Sequence, residues 1–442
     1  MDRVKIFRIS SASSKEVKAI AAEADSDYTL IYTRPTELRF VDFGLERMVQ
    51  IADDTAAAMV YADHFNADSP APVIDYQRGS LRDDFDFGGV QMYRTSVFKT
   101  AVAGMDADYE FAGLYDLRLR ASRIGSFVHI NEYLYYEIDS DTRDSGVRLF
   151  DYVNPRNRAV QIEMEKACTA HLKEIGAWLK PEYKDVAPDE GDFEYEASVV
   201  IPCKNRVRTI GDAIRSALSQ KADFKYNVIV VDDNSTDGTV DVIRSFLPDS
   251  RLVYIAQDKS YHAIGGNWNA AIHHPKCGSF ALQLDSDDVY ADENTVSRFV
   301  RAFRTMNCAM VVGSYTITDF GLKPLPPGVI DHREWTDDNG RNNALRVNGF
   351  GAPRGFWVPL LRKLNFPTTK YGEDYAVALR VSREYRIGRI YESMYFCRRW
   401  DDNSDHGLSV EKENANNLYK DRISSWELQA RIALNASSTA QA

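Results

Sequence analysis

Short apolar runs alternate with helical patterns along the second half of this chain, and this alternation constrains the fold more than any other feature. The runs Ala197–Ile201 and Tyr226–Val231 predict buried strands. Between them, five apolar residues share one face of a predicted helix: Ile210, Ala213, Ile214, Ala217 and Leu218. Strands that alternate with helices predict an α/β fold whose mostly parallel sheet is flanked by helices. Such sheets bind ligands beyond the carboxyl ends of their strands.

Polar residues follow three of the predicted strands at the point where each strand ends. The three segments are Pro202–Asn205, Asp232–Gly238 and Asp285–Asp288. Carboxylates at such an edge suit a nucleotide diphosphate, because Mg2+ and Mn2+ prefer oxygen ligands and often bind one or two carboxylates together with substrate phosphates. Asp and Asn also form turns, and for Asn234 and Asp237 we favour that interpretation. At Asp285 and Asp287 the adjacent like charges favour a bound cation.

Four motifs of the second half together resemble the family 2 glycosyltransferases. They are SVVIPCKNR, VIVVDDNSTDGT, LQLDSDDVY and KYGEDYAVALR, and the resemblance covers about residues 197–400. It implies a GT-A fold, which is a Rossmann-like sheet that binds a nucleotide-sugar. It also implies transfer of the sugar to an acceptor hydroxyl with inversion at the anomeric carbon.

The same resemblance assigns the donor site to residues at the strand ends. Pro202 and Asn205 would line the nucleotide site, and Asp233 would hold the base of the nucleotide. The expected nucleotide is UDP. Asp285 would bind the ribose or the metal, and Asp287 would bind the metal. The expected cofactor is therefore a divalent cation, Mn2+ or Mg2+.

Two later segments complete the expected site. Glu373 and Asp374 resemble the ED motif, in which the aspartate is the general base that deprotonates the acceptor, and we expect Asp374 at or near the first turn of a helix. The alternatives are that Asp374 is an ordinary N-terminal helix cap or that Glu373 is the functional group. Arg398 and Arg399 would neutralise the departing diphosphate, and His406 would complete the metal shell, with a solvated turn residue as its alternative role. The sequence FCRRW lacks the glutamine of the Q-x-x-R-W box of processive synthases, so processive synthesis is not expected.

Four short matches indicate that the two halves of the chain are diverged copies. The segments GGVQMYR, LR, RIG and EYLYYEI of the first half recur in the same order as NGFGAPR, LR, RIG and ESMYFCR. The alternative is that such short strings align by chance. If the halves are copies, the fold class applies to both of them.

On this alignment the first half lacks every proposed site residue. Its segment IYTRPTEL, which aligns with QLDSDD, contains no aspartate. The residues opposite the ED pair, the two arginines and the histidine are Leu114, Tyr115, Ile138, Asp139 and Ser145. The first half is therefore expected to be a degenerate GT-A-like domain without donor or metal motifs, and an unrelated α/β domain is the alternative.

The resulting domain plan has four parts. Residues 1–180 form the degenerate domain, and residues 181–195, rich in proline and acidic residues, form a linker. Residues 196–434 form the catalytic domain with a C-terminal helix, and residues 435–442 form a disordered tail.

Charge and cysteine content limit the expected cellular location and the expected binding partners. A net charge of -11 argues against a nucleic-acid partner, and five scattered cysteines without a CxxC pair indicate neither disulfides nor zinc. We expect a cytoplasmic protein, since the first residues lack a signal-peptide core and no run has the length of a membrane span. The expected partners are a nucleotide-sugar and a glycan or glycoconjugate acceptor in surface polysaccharide or glycoconjugate assembly. Peripheral membrane association and a homo-oligomer stay open.

Two other function classes compete with this interpretation. A nucleotidyltransferase would use a similar sheet and similar carboxylates, but it would carry a G-x-G-T-R loop where this chain has CKNRVRT. A non-catalytic sugar-binding or nucleotide-binding scaffold would explain the first half. It would not explain why the second half retains its carboxylates.

Overall fold

The computed structural model describes residues 3–138, 157–347, 349–400 and 408–441. The chain divides into two compact units. The first comprises Met1–Trp178, Leu345–Asn348 and Asp405–Ala442, and the second comprises Leu179–Ala344 and Gly349–Ser404. Among the described helices, none combines the length and the apolar character that a membrane crossing requires.

The first unit is built around a seven-stranded sheet. Its strands are β1 (Val4–Arg8), β2 (Tyr28–Tyr32), β3 (Arg39–Phe40), β4 (Met59–Asn66), β5 (Ser69–Ala71), β6 (Val90–Arg94) and β7 (Phe127–Glu137). Its helices before residue 179 are α1 (Ser14–Glu23), α2 (Gly44–Thr55), α3 (Thr95–Ala103), α4 (Gly113–Ile124) and α5 (Arg158–Glu174). The strand order is β1-β2-β6-β4-β7-β3, with β5 beside β4.

The second unit contains a nine-stranded sheet. Its strands are β8 (Ala197–Cys203), β9 (Tyr226–Asp232), β10 (Leu252–Ala256), β11 (Phe280–Gln283), β12 (Val289–Tyr290), β13 (Met310–Thr318), β14 (Pro324–Ile330), β15 (Arg354–Trp357) and β16 (Ile387–Arg398). The helices from residue 210 onward are α6 (Ile210–Leu218), α7 (Thr239–Ser245), α8 (Ala263–His273), α9 (Thr295–Met306), α10 (Gly340–Val347), α11 (Val358–Leu364), α12 (Glu373–Ser382) and α13 (Val410–Gln441).

The sheet of the second unit is parallel where the sequence motifs lie and mixed elsewhere. Its order is β10-β9-β8-β11-β15-β13-β16-β12, with β14 beside β13. The first four strands run parallel, and every residue of β8, β9 and β11 is buried, as expected for strands covered on both faces. Strand β15 is antiparallel to both of its neighbours. The predicted α/β class is thus confirmed, and the parallel arrangement holds for the strands that carry the motifs.

The two sheets share one topology. Strands β1, β2, β6, β4, β7 and β3 correspond in order and direction to β8, β11, β15, β13, β16 and β12. The β4–β7 and β13–β16 pairs are both parallel, and each contains register irregularities. Gly88 and Gly351 each adopt a positive φ shortly before β6 and β15. This agreement supports the inference that the halves are copies.

The registers of strand pairing correct parts of the alignment between the two halves that was made from the sequence. Met59 pairs with Tyr93 as Met310 pairs with Phe356, so the residue opposite Arg354 is Gln91 and not Arg94. Helices α4 and α12 begin at Gly113 and Glu373, so Gly113 and Leu114, not Leu114 and Tyr115, stand opposite Glu373 and Asp374. The connecting loops of the halves differ in length, and short letter matches do not reveal this.

The C-terminal helix α13 belongs to the first unit, whereas the sequence-based plan assigned it to the second. Ile423 and Leu428 are buried, and the carboxylate of Asp421 accepts hydrogen bonds from Ser80 Oγ at 2.9 Å and from Arg82 Nε at 3.2 Å. These contacts fix the helix through burial and through a buried ion pair.

The same helix extends into the predicted tail. It continues to Gln441, within residues 435–442, for which the sequence analysis predicted a disordered tail. Asn435 Nδ2 donates hydrogen bonds to the carbonyl oxygens of Gly176 and Trp178, at 2.8 and 2.9 Å. These bonds anchor the end of the helix within the first unit.

Candidate active site

The loop after β8 is joined to the loop after β9 by backbone and side-chain hydrogen bonds. Asn205 adopts a positive φ of 52°, its N–H donates to Ser235 Oγ at 2.7 Å, and its Oδ1 accepts from Thr236 N at 2.9 Å. Pro202 is buried inside β8, where it pairs with Val231. The structure therefore gives Asn205 a loop-joining role and places Pro202 within the strand, so their predicted contacts with a nucleotide stay predictions.

The loop after β9 contains the predicted base-binding aspartate. The side chain of Asp233 is 13% exposed, and one of its carboxylate oxygens lies 3.4 Å from Lys204 Nζ. Asp237 accepts from the backbone N–H groups of Val207 and Thr239, and Asn234 adopts a positive φ. The turn interpretation of Asp237 and Asn234 is thus confirmed. Asp233 is the carboxylate of this loop that can accept a hydrogen bond from a ligand.

Three aspartates converge after β11. Both carboxylate oxygens of Asp285 accept from Gln283 Nε2, at 3.0 and 3.1 Å, and its backbone N–H donates to Tyr395 OH at 3.0 Å. Asp287 Oδ2 accepts from Trp400 Nε1 at 3.3 Å. Strand β16 thus fixes the end of β11 from the side, because Tyr395 belongs to it.

The electrostatics of this aspartate cluster suit a divalent cation. Burial raises the pKa of Asp285, and the neighbouring charge of Asp287 raises it further. Burial also raises the pKa of Asp288 well above its usual value, with added repulsion from Asp287 and Asp285. Among the residues that the structure describes, no group of three or more side chains forms a complete metal site. Two carboxylates still fit the way in which Mg2+ and Mn2+ are usually held, since one or two carboxylates often bind these ions together with substrate phosphates.

Arg398 is buried and held mainly by aspartates of its own unit. Its Nη1 donates to Asp212 Oδ2 at 2.9 Å, its backbone N–H donates to Asp288 Oδ1 at 2.8 Å, and its Nε donates to the carbonyl oxygen of Asp287. The backbone N–H of Arg399 donates to Thr318 O at 2.8 Å. The predicted contacts of both arginines with a diphosphate stay predictions. His406, the predicted third metal ligand, lies outside the described residues.

Arg206 joins this cluster, although the sequence analysis did not single it out. Its Nε is buried and lies 3.9 Å from Asp287 Oδ2, and no described acceptor lies within hydrogen-bond distance of it. Its Nη1 donates to the carbonyl oxygens of Lys204 and Asn205. A guanidinium with a spare buried donor beside the aspartates is suited to a phosphate oxygen. Arg206 directly follows the residues CKN of the first motif, and this position is the sequence feature that could have indicated its place in the site.

The ED pair lies in the first turn of α12, as predicted. Gly372 precedes the helix with a φ of 77°, which glycine adopts without strain. Asp374 Oδ2 forms an ion pair with Arg354 Nη2 at 2.5 Å, and the side chain of Asp374 is 29% exposed. Glu373 is only 7% exposed. Burial, together with repulsion from Asp374, raises the pKa of Glu373 to about 8. This raised pKa favours the protonated form of Glu373 at neutral pH.

Glu373→Gln is expected to become relatively more stable than the unchanged chain as the pH rises. The folded-state pKa of Glu373 lies above its unfolded value, so its favourable contribution is complete below about pH 4.5 and is lost as the pH rises through about 8. Glutamine stays neutral throughout. Chemical denaturation at pH 5 and pH 9 should show the stability difference moving in favour of the variant by at least about 1 kcal/mol. Parallel pH dependences of the two proteins would contradict this reading of Glu373.

Arg354 is the second site residue that the sequence analysis did not assign to the site. It is the first residue of β15, which pairs antiparallel with β11 and so places Arg354 beside Gln283. Its backbone N–H and its Nη1 both donate to Gln283 Oε1, at 3.2 and 3.3 Å. The arginine therefore contacts both the ED pair and the side chain that holds Asp285.

Sequence relatives match the part of the chain that contains these residues. Residues 198–358 match the family model described as Glycosyl transferase family 2. A UDP-Glc:alpha-D-GlcNAc-diphosphoundecaprenol beta-1,3-glucosyltransferase of Escherichia coli is 29% identical over 201 residues, which cover 45% of this chain and 74% of that protein. An uncharacterized glycosyltransferase of Bacillus subtilis is 28% identical over 120 residues, which cover 27% of this chain and 30% of that protein. The chain thus spans less than a third of the Bacillus protein.

The similarity of this chain to solved structures is lower. S. aureus TarS in complex with UDP-GlcNAc is similar with a TM-score of 0.44 and 18% identity, over 55% of this chain and 71% of that one. The mannosyltransferase PcManGT from Pyrobaculum calidifontis, in complex with GDP-Man and Mn2+, has a TM-score of 0.39 and 17% identity, over 66% of this chain and 87% of that one. Residues 198–358 are thus similar to glycosyltransferase family 2, and the two sequence relatives that match this chain are both named as glycosyltransferases.

Proposed function

We propose that the second unit transfers a sugar from a nucleotide-sugar, a UDP-sugar in the first instance, to a hydroxyl of a glycan or glycoconjugate, with inversion at the anomeric carbon. The observation that carries this proposal is the convergence of Asp285 and Asp287 with Asp374, linked through Gln283 and Arg354. The name of the Escherichia coli relative specifies UDP-Glc as its donor, and this supports the choice of UDP.

Residues on the donor side would bind the nucleotide and its diphosphate. Asp233 would accept from the base, Asp285 from the ribose, and Arg206 would donate its buried Nε to the diphosphate. Asp285 and Asp287 fit a divalent cation, which when bound would stabilise the negative charge of the leaving diphosphate. The cation expected from this donor set is Mn2+ or Mg2+.

On the acceptor side, the Asp374 carboxylate would take the proton of the attacking hydroxyl. The bond between the acceptor oxygen and the anomeric carbon forms while the bond from that carbon to the diphosphate oxygen breaks, and the nucleoside diphosphate leaves with the electron pair. One in-line displacement inverts the configuration and requires one base together with a sugar held in place. The first turn of a helix suits such a base, because the helix dipole favours a carboxylate there.

A panel of nucleotide-sugars separates this function from its rivals. Thermal shifts with and without Mn2+ identify the donor, because a ligand stabilises the state that binds it. Release of UDP from that donor is then measured. A scaffold would bind without releasing UDP, and a nucleotidyltransferase would release pyrophosphate from a nucleoside triphosphate and a sugar phosphate. Absence of UDP release from every UDP-sugar in the panel would contradict the proposal.

We further propose that the first unit takes no part in donor chemistry, because Gly113 and Leu114 stand where the ED pair lies in the second unit. Asp116→Asn should lower the stability by about 1–3 kcal/mol, since the buried carboxylate accepts from Arg120 Nε at 2.9 and 3.0 Å. It should leave the rate of UDP release within about twofold of the unchanged chain. Rates and thermal midpoints are measured side by side. A nucleotide bound in residues 1–180, or loss of UDP release in the folded variant, would show that the first unit is not degenerate.

A further inference from the structure

A chain of polar contacts runs from the ED pair to the aspartate cluster of the second unit. Asp374 Oδ2 pairs with Arg354 Nη2 at 2.5 Å, and Arg354 Nη1 and N–H donate to Gln283 Oε1 at 3.3 and 3.2 Å. Gln283 Nε2 then donates to both oxygens of Asp285, at 3.0 and 3.1 Å. We call these four residues the relay: Asp374, Arg354, Gln283 and Asp285.

The geometry of the relay depends on an arginine at its centre. Arg354 Nε also donates to Gly351 O at 2.6 Å, so donors on three sides of one planar group are used at once. A guanidinium presents these donors in a fixed fork, whereas a lysine ammonium is a single point on a flexible stem. The side chain of Arg354 is 17% exposed, so its contacts are largely shielded from solvent. Charge and shape together thus fix the direction in which Asp374 points.

The first unit provides an independent comparison, because it has the same sheet without the relay. In the pairing of β2 with β6, Ile31 lies opposite Gln91, and these two residues occupy the positions of Gln283 and Arg354. Leu114 occupies the position of Asp374. Neither sheet topology nor helix placement therefore needs these polar groups. They are present in the unit that has the aspartate cluster and replaced in the unit that lacks it.

We propose that Arg354 is a positioning residue that, through Gln283, couples the acceptor-side carboxylate Asp374 to the donor-side carboxylate Asp285. The inference rests on the proposed function of the second unit. In this role Arg354 keeps the Asp374 carboxylate oriented towards the acceptor while the donor is held, and it acts through that carboxylate and not directly on the substrate. The relay therefore contributes to turnover more than to donor binding, since a misplaced base costs rate without removing donor contacts.

Turnover and donor KM of single and double variants test the relay. Arg354→Gln should lower kcat by about 100-fold and raise the donor KM by less than about fivefold. Arg354→Lys, which keeps the charge but loses the fork, should recover about a tenth of the lost rate or more. Gln283→Leu should lower kcat by about tenfold. If the relay acts as one unit, the double variant Arg354→Gln with Gln283→Leu is no slower than Arg354→Gln alone.

Arg251→Gln is the matched control, because Arg251 pairs with Asp249 in the same unit and lies outside the relay. Loss of an arginine with a purely structural role, as is expected for this control, would lower the thermal midpoint without lowering kcat more than it raises the donor KM. Rate losses that multiply in the double variant, or turnover by Arg354→Gln within twofold of the unchanged chain, would overturn the relay.

Failure of the proposed function is recognised separately, as absence of UDP release by the unchanged chain. In that case the relay is judged without substrate, from the stabilities of Arg354→Gln, Asp374→Asn and their double variant. The relay predicts that the double variant is less destabilised than the sum of the two single variants. Additive losses of stability would overturn it.

Discussion

Asp374→Asn is expected to lower the rate of sugar transfer by a factor of about 10²–10⁴ while the affinity for the UDP-sugar stays nearly unchanged. Gly372 is the N-cap residue of α12, and Asp374 Oδ1 accepts a hydrogen bond from Tyr375 N at 2.8 Å, which asparagine can retain. Asparagine cannot accept the proton of the acceptor hydroxyl. Loss of a cap alone would lower stability modestly and would leave turnover intact.

Glu373→Gln is the matched control for Asp374→Asn. Burial keeps Glu373 mostly protonated at neutral pH, because its pKa is about 8, so a neutral glutamine closely reproduces its charge state. We expect this variant to transfer sugar at pH 7 within about threefold of the unchanged chain. Transfer rates and donor affinities are measured for both variants in parallel. Near-normal turnover by Asp374→Asn with a large loss in Glu373→Gln would reassign the base to Glu373.

Asp287→Ala is expected to abolish transfer and to remove the Mn2+-dependent part of the stabilisation by UDP. The carboxylate of Asp287 lies between Arg206 and Trp400, and its charge raises the pKa values of Asp285 and Asp288. Asp287 would hold a divalent cation, which when bound would stabilise the negative charge of the diphosphate, and alanine removes this carboxylate. Thermal shifts with UDP are compared with and without Mn2+.

Asp212→Ala is the control for Asp287→Ala. It removes a carboxylate that pairs with Arg398 and Arg215 and that is not among the predicted metal ligands. This control should retain the extra shift that Mn2+ adds to UDP. If the Asp287→Ala chain keeps the same extra shift, Asp287 is not a metal ligand.

The sequence predicted the α/β class and the positions of the motif-bearing strands, because an apolar run that ends in a polar cluster has few other folded solutions. It did not predict the antiparallel insertion of β15 between β11 and β13, which depends on contacts between segments far apart in the chain. Arg354 was therefore seen only as part of a repeat match. Its role depends on the antiparallel pairing that brings it beside Gln283.

Other differences have equally local causes. The sequence analysis predicted the C-terminal helix but assigned it to the catalytic domain, whereas hydrogen bonds of Asp421 with Ser80 and Arg82 hold α13 in the first unit. Arg206 was overlooked because an arginine after a turn is usually solvent-exposed, and here its Nε is buried beside Asp287. Residues that follow a buried strand were thus predicted well, and residues whose role depends on a neighbouring loop or strand were not.

The central claim is that the second unit carries out sugar transfer with Asp374 as its base, and release of UDP from the identified donor tests it most directly. The unchanged chain, Asp116→Asn and Asp374→Asn are assayed together at saturating donor and Mn2+. We predict similar rates for the first two and a rate at least about 100-fold lower for Asp374→Asn, which should still bind the donor. Equal release by all three proteins, or no release by the unchanged chain with any UDP-sugar, would contradict the account.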